Sequence, residues 1–304
     1  MDVNYKSGFI CVAGLANAGK STLTNALVGE KVSIVSWRPQ TTRNKLLGII
    51  NGENYQMVLI DTPGIHKARN HLGEYMMQAV ENGMKGVDGA IYVIDAAKGL
   101  QKEDYDFLQK NAHKVPIVVA LNKEDAVTRE TMLLSLEKLN GIEGLKAIVP
   151  ISAKKEKNLA PLLNELVGLL PYGAPMYPQD MFTDSSMRFM ATEIIREKAL
   201  YLLDKEVPYG IGVYINKFEE REDQPICDID ADIICEKQSH KAIVIGKGGE
   251  MLKQIATKAR KDLEEMIGMQ VFLTLYVRVK DEWRDNDMIM RELGYDLKAL
   301  KKDS

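Results

Sequence analysis

The apolar residues of the first half of the chain fall in short unbroken runs at 9–13, 57–60, 90–94, 117–121 and 147–149. A strand with no polar alternation is buried on both faces. Amphipathic stretches separate these runs, for example 75–84 and 131–139, where apolar positions recur at helical spacing. Strands alternating with helices predict an α/β fold, a doubly wound parallel sheet covered on both sides. Ligand residues in such sheets lie on the loops beyond the carboxyl ends of the strands.

The pattern breaks after a helical stretch at 159–169, where Pro171, Gly173, Pro175 and Pro178 crowd into a linker. An amphipathic helix at 187–203 opens a second unit. Two strands follow at 211–215 and 229–233, with polar residues on alternate positions, so this sheet is covered on one face only. The apolar stretch Ala242, Ile243, Val244, Ile245 then runs into Gly246-Lys247-Gly248-Gly249. A helix with Leu252, Ile255, Ala259, Leu263 and Met266 on one stripe comes next, and a strictly alternating strand at 271–280. The expected division is residues 1–172, a linker at 173–186, and an α+β unit at 187–304.

Composition narrows the class. The 304 residues are enough for two cores, and 45% hydrophobic with 27% charged residues predicts a soluble globular chain. No apolar run approaches the ~18 residues of a membrane-spanning helix, and Met1 to Lys6 lack a signal-peptide core. Cys11, Cys227 and Cys235 form no C-x-x-C pair; Cys11 and Cys235 sit in apolar strand patterns and read as core thiols of a reducing cytoplasm. A net charge of -3 argues against broad salt-driven nucleic-acid binding and leaves room for a local basic site.

Candidate chemistry begins where the first strand ends. Gly14-Leu15-Ala16-Asn17-Ala18-Gly19-Lys20-Ser21-Thr22 fits G-x-x-x-x-G-K-[ST], the phosphate-cradling loop of nucleoside triphosphatases. Gly14 and Gly19 allow the tight turn that points backbone N–H groups at phosphate oxygens. Lys20 places a charge on the β- and γ-phosphates, and Ser21 is the expected Mg²⁺ ligand. The helix from Thr22 onward aims its positive end at the same anion.

Each later motif also follows a strand. Asp61-Thr62-Pro63-Gly64 follows the run at 57–60. Asp61 can hold Mg²⁺ through a water, and the Gly64 N–H can sense a γ-phosphate. Taken alone, D-x-x-G is a weak signal. Gln40-Thr41-Thr42-Arg43 lies between the two motifs in a polar stretch, where the hydroxyl of Thr42, or else of Thr41, could close over the nucleotide and ligate Mg²⁺. Asn122-Lys123-Glu124-Asp125 follows the run at 117–121. The Asp125 carboxylate can accept from guanine N1–H and the 2-amino group, a pair that adenine cannot mirror. Asn122 supports the loop and the base edge, and the Lys123 stem packs on the ring. Ser152-Ala153-Lys154 follows the run at 147–149, and its backbone can reach guanine O6. The order of motifs on successive loops selects GTP.

In that order these motifs are similar to those of translation-factor-related GTPases, and the chain as a whole resembles the Era family of bacterial GTPases. The second unit is part of the resemblance: helix, two strands, helix, G-x-x-G, helix and strand is similar to a bacterial-type KH domain. Trp283-Arg284 and Leu293-Gly294-Tyr295 resemble the C-terminal end of that family. One departure is Ala16 and Ala18, where relatives usually carry Pro and Val; both are small and leave nucleotide binding in place. Ile65 stands where Ras-type enzymes have a water-orienting Gln, so slow hydrolysis of GTP to GDP, speeded by a partner, is expected. The resemblance implies K⁺ at Asn17, acting somewhat like an arginine finger; Asn17 as a plain loop brace is the alternative. Lys20, Thr42, Gly64 and Asn17 make up the expected hydrolytic centre, with Ile65 beside them in the nucleotide site.

A KH domain would clamp about four nucleotides of RNA backbone at residues 246–249. From 237 to 261 the chain carries Lys237, Lys241, Lys247, Lys253, Lys258, Arg260 and Lys261 among its charges, and few acids. Local positive charge in an acidic protein marks a phosphate-binding face. The resemblance implies a monomeric cytoplasmic switch that binds 16S rRNA and assists assembly of the 30S ribosomal subunit. The competing class is a membrane-associated signalling or cell-cycle switch, peripheral at the inner face of the cell membrane, with the KH fold as a docking surface.

Overall fold

The computed structural model describes residues 4–302; Met1 to Val3 of the N-terminal stretch read above lie outside them. Six strands form the first sheet: β1 (Lys6–Ala13), β2 (Leu46–Asn51), β3 (Tyr55–Asp61), β4 (Gly89–Asp95), β5 (Ile117–Asn122) and β6 (Leu145–Pro150). Their order is β2-β3-β1-β4-β5-β6. The sheet is parallel except at its edge, where β2 pairs antiparallel with β3, Leu46 opposite Asp61. The expectation of a purely parallel sheet is corrected there. The stretch 46–51 does not read as a strand in the sequence because Gly48 interrupts it, and an edge strand needs burial on fewer sides.

Helices α1 (Lys20–Val28), α2 (His71–Gly83), α3 (Lys102–Asn111), α4 (Arg129–Asn140) and α5 (Leu159–Leu169) cover the sheet. Two cores result, one around Ile10, Leu23, Val93 and Leu166, the other around Tyr92, Leu108, Val119 and Leu139. After α5 the chain runs back along the β2–β3 edge. Gln56 holds it there: its Oε1 accepts from the Met176 and Tyr177 N–H groups, and the Ile49 N–H donates to the Phe182 carbonyl.

The second unit comprises α6 (Met187–Leu202), β7 (Gly212–Glu220), β8 (Ile226–Cys235), α7 (Gln238–Ile245), α8 (Glu250–Ile267) and β9 (Gln270–Val279). β7 pairs antiparallel and β9 parallel to the central β8. Ile195, Ala199, Ile255, Ala259 and Leu263 pack on Val213, Ile229, Ile233 and Val277, which are the inward positions of the strands. Two short helices, α9 (Asp287–Glu292) and α10 (Leu297–Lys302), end the described chain. All three cysteines are buried and free. No helix among the described residues is long and apolar enough to cross a membrane.

Candidate functional site

The phosphate loop links β1 to α1, and glycine is demanded at both of its critical contacts. A Cβ on Gly14, which sits at φ 145°, would lie 2.3 Å from the Val93 carbonyl oxygen. A Cβ on Gly64 would lie 2.7 Å from Ala16 Cα, so only glycine lets the D-x-x-G segment approach the loop this closely. Lys20 is buried, and its ammonium donates to the Gly14 and Leu15 carbonyls at 3.1 Å. Burial pulls its pKa down to about 8, with the nearby Asp61 opposing the shift. A buried cation held only by neutral carbonyls is short of an anion, and a triphosphate supplies one.

Three oxygen donors meet beside it. Ser21 Oγ and Thr42 Oγ1 are 2.7 Å apart. Asp61 is fully buried; its Oδ2 accepts from Ser33 Oγ at 2.8 Å, while its Oδ1 has no partner. Burial raises the Asp61 carboxyl above its ordinary range, and the Lys20 charge opposes this. Two hydroxyls and an unsatisfied carboxylate oxygen are the hard donor set that suits Mg²⁺. Thr41 instead donates its hydroxyl to the Arg38 carbonyl at 2.7 Å.

The base-reading loops are joined by Asn122. Its Nδ2 donates to the Ala18 carbonyl and its Oδ1 accepts from the Ala153 N–H, both at 2.9 Å, so one side chain ties the phosphate loop to the Ser152–Lys154 turn. Lys123 reaches the Asn17 carbonyl at 3.0 Å and Asp95 at 2.7 Å. Asp125 is exposed, with Oδ1 accepting from Ser152 Oγ at 2.5 Å, and that bond holds its carboxyl below the usual range. A charged carboxylate directed by a serine is ready to accept from a base edge. A cavity of about 550 Å³ runs between these parts, lined among others by Asn17, Lys20, Thr42, Gly64, Lys123 and Lys154.

Asn17 donates through Nδ2 to the Trp37 carbonyl at 2.7 Å. Ile65 donates its N–H to the Gly14 carbonyl at 3.0 Å and presents no polar side-chain group. His66 donates Nδ1–H to the Gly64 carbonyl at 2.9 Å, and its Nε2 is buried without a partner.

The structure adds a set of residues that sequence reading missed. Residues 31–43, which carry Thr42, are fastened to the second unit. Arg38 donates to the carbonyls of Leu200 and Leu203 and pairs with Asp204 at 2.8 Å. Arg43 donates to the Ile211 and Tyr209 carbonyls at 2.7 and 3.1 Å. Arg196 of α6 donates to the Thr41 carbonyl, and Glu197 accepts from the Val35 N–H and from Lys31. Helix α2, which follows the D-x-x-G segment, packs Leu72, Tyr75 and Met76 against Trp283, Met290, Leu293 and Tyr295 of the tail. The apolar stripe of α2 is visible in the sequence, but nothing local says that its partner lies more than two hundred positions away.

At the other end, Gly246, Gly248 and Gly249 all have positive φ (75°, 62° and 83°), joining α7 to α8 in a turn whose last two glycines face open space. Lys247 and Lys253 are exposed and Lys241 half-buried, and none of the three makes an ion pair among the described residues.

Comparison with known proteins agrees with this geometry. The family described as 50S ribosome-binding GTPase matches residues 9–123, and the KH domain family matches 206–284. The GTPase Era of Clostridium novyi is 45% identical over 96% of this chain and 99% of its own length. That of Caldicellulosiruptor saccharolyticus is 45% identical over 97% and 99%. Among solved structures, a single-residue variant of Aquifex aeolicus Era bound to GDP.AlF4⁻ aligns with a TM-score of 0.92 at 36% identity, covering 96% of this chain and all of that one. Era in complex with MgGDPNP and nucleotides 1506–1542 of 16S ribosomal RNA aligns at 0.93, again with 36% identity and 96% of this chain covered. With a GTP-binding fold, a KH domain and relatives that span its whole length, the chain belongs to the Era family of GTPases.

Proposed function

We propose that this GTPase is a switch that binds 16S rRNA through its KH domain and assists assembly of the 30S ribosomal subunit, with residues 1–172 as the nucleotide unit, 173–186 as linker and 187–304 as the RNA unit. The observation that carries the reading is the set of hydrogen bonds from residues 31–43 to α6 and to the Tyr209–Ile211 backbone. A loop that ligates the metal at one end and is bolted to the KH domain at the other gives the nucleotide a lever on the RNA site.

The chain's residues divide the work. Lys20 and the loop N–H groups hold the phosphates, Ser21, Thr42 and Asp61 hold Mg²⁺, and Asp125 with the residues around Ser152 selects guanine. Mg²⁺ supplies charge neutralisation at the β- and γ-phosphates. Ile65 has no group to orient the attacking water, so intrinsic hydrolysis is slow. K⁺ at Asn17 is the proposed electrostatic aid; to ligate it the Asn17 amide gives up its Nδ2–H bond to the Trp37 carbonyl and turns its Oδ1 to the ion. Gly246 to Gly249, with Lys241, Lys247 and Lys253, form the proposed RNA clamp. The basic rim of that clamp favours RNA over the reading of a membrane-docked signalling switch. We expect a cytoplasmic monomer.

The test is RNA affinity, measured by fluorescence anisotropy at fixed salt, in GTP-analogue and GDP states. Affinities differing by about 5–150-fold are expected, the usual range of coupling between sites. Equal affinities would mean that the two units are merely tethered. Gly248→Asp should abolish RNA binding and leave nucleotide affinity intact.

A further inference from the structure

The chain holds two tryptophans, and the fold treats them in opposite ways. Trp283 is wholly buried, and its indole N–H donates to the Gly210 carbonyl at 2.9 Å. Trp37 is 62% exposed, and its indole N–H has no partner among the described residues. Aromatic side chains carry the largest apolar areas, so an indole left in water is a cost that nothing within the chain recovers.

Trp37 is nonetheless held in place. Its carbonyl accepts from Asn17 Nδ2 at 2.7 Å, which ties it to the phosphate loop. The Arg38 guanidinium lies 4.1 Å from the centroid of its ring, close enough to cover one face. Arg38 is itself buried, held by the Leu200 and Leu203 carbonyls and by Asp204 at the end of α6. The indole therefore rests on an anchored cation, and little ordering remains to be done when a ligand arrives.

The residue borders the 550 Å³ cavity of the nucleotide site, together with Asn17, Lys20, Thr42 and Lys123. Asn17 locates it along that cavity. The Asn17 side chain meets Trp37, while the Asn17 carbonyl accepts from Lys123, whose stem is the expected packing surface for the base. Lys20 and Thr42 mark the opposite end, where the β- and γ-phosphates belong. Trp37 thus stands beside the middle of the site.

We propose that the Trp37 indole covers the ribose and α-phosphate of bound GDP or GTP and sets how long the nucleotide stays. The inference rests on the nucleotide site assigned above and adds a residue to it. Closing over the sugar buries apolar ring surface, and the indole N–H, a donor only, gains an acceptor in a ribose hydroxyl or phosphate oxygen. Neither contact involves the γ-phosphate or the base edge. The cover therefore treats GDP and GTP alike and contributes retention rather than specificity. Because Arg38 ties the ring to the end of α6, the second unit holds this cover over a ligand of the first.

Iodide quenching of tryptophan fluorescence reads the cover directly, since buried Trp283 is out of the quencher's reach. Bound GDP with Mg²⁺ should lower the iodide accessibility of the full chain, and Trp37→Phe should leave no accessible signal to lower. Filter binding of tritiated nucleotides gives the dissociation rates. Trp37→Ala should release GDP and a GTP analogue faster by about tenfold, both to the same extent, and Trp37→Phe should recover most of the loss. Single-turnover hydrolysis of GTP already bound should keep its rate, because the indole does not reach the γ-phosphate. Retention of GDP by the unmodified chain is read first in the same assay; a chain that retains none would remove the nucleotide site and the cover with it. With GDP retained, the proposal alone is overturned if iodide reaches Trp37 equally with and without nucleotide, if Trp37→Ala releases GDP at the unmodified rate, or if single-stranded RNA protects the ring and GDP does not.

Discussion

Arg196, wholly buried on α6, donates to the Thr41 carbonyl at 2.5 Å, one residue before the Thr42 hydroxyl that faces Ser21. Its other contacts are Glu193 Oε1 at 2.8 Å and Oε2 at 2.5 Å. The buried pair therefore fastens the loop that carries Thr42, the proposed Mg²⁺ ligand, to α6.

Removing Arg196 leaves Glu193 as an uncompensated buried charge, which costs roughly 3–5 kcal/mol of stability. Arg196→Ala should lower the unfolding midpoint accordingly, while Arg196→Met with Glu193→Leu should recover most of the loss. Both variants lose the bond to Thr41, so in both the RNA-affinity ratio between nucleotide states should shrink. Chemical denaturation and anisotropy measure the two effects separately. A ratio unchanged in the stable double variant would show that the Arg196–Thr41 bond carries no coupling.

Asp125→Asn exchanges an acceptor for a donor at the base-reading position. GTP affinity should fall steeply and xanthosine triphosphate affinity should rise. Isothermal titration checks both, and equal GTP and ATP affinities in the unmodified protein would remove the guanine assignment.

Lys20 sets a pH dependence. Its folded pKa is lowered to about 8 from an ordinary 10.5. Between those values the unfolded chain binds the proton and the folded apo-protein does not, so apo stability gains from this group as pH rises. Nucleotide binding acts the other way, because phosphates favour the charged form. GTP affinity should drop as pH rises above about 8, by up to about tenfold per pH unit. Titrations across pH 7–10 would read it, and a flat profile would mean that Lys20 is not the phosphate contact.

Asn17 makes the monovalent cation testable. Hydrolysis should run faster in KCl than in NaCl at equal ionic strength, and Asn17→Ala should erase the difference. Identical rates in both salts leave Asn17 as the loop brace that its bond to Trp37 already makes it.

The nucleotide chemistry was legible in the chain because it is local. Gly14 to Thr22, Asp61 to Gly64 and Asn122 to Asp125 each occupy a single loop whose conformation is set by neighbouring residues, and each follows an apolar run that burial turns into a strand. The five parallel strands of the first sheet, helices α1, α2, α4 and α5 and the G-x-x-G turn follow from the same short-range periodicities. The β2 edge escaped because Gly48 breaks its pattern and it is recognised only by pairing with β3. Arg38 and Arg196 stand in no motif, and Arg43 is read only as the end of Gln40-Thr41-Thr42-Arg43, since a guanidinium's partner is decided by whichever carbonyls reach it from distant parts of the chain. Asn122 reads as a support for its loop, but that its two bonds tie the phosphate loop to Ala153 is decided by packing. Tyr214, Asp232 and Tyr276 lie far apart along the chain and become one row only through strand register. Periodicity encodes which residues face inward; which distant residues meet is settled by packing, where a side chain's neighbours come from other elements and its charge must be answered by what they bring.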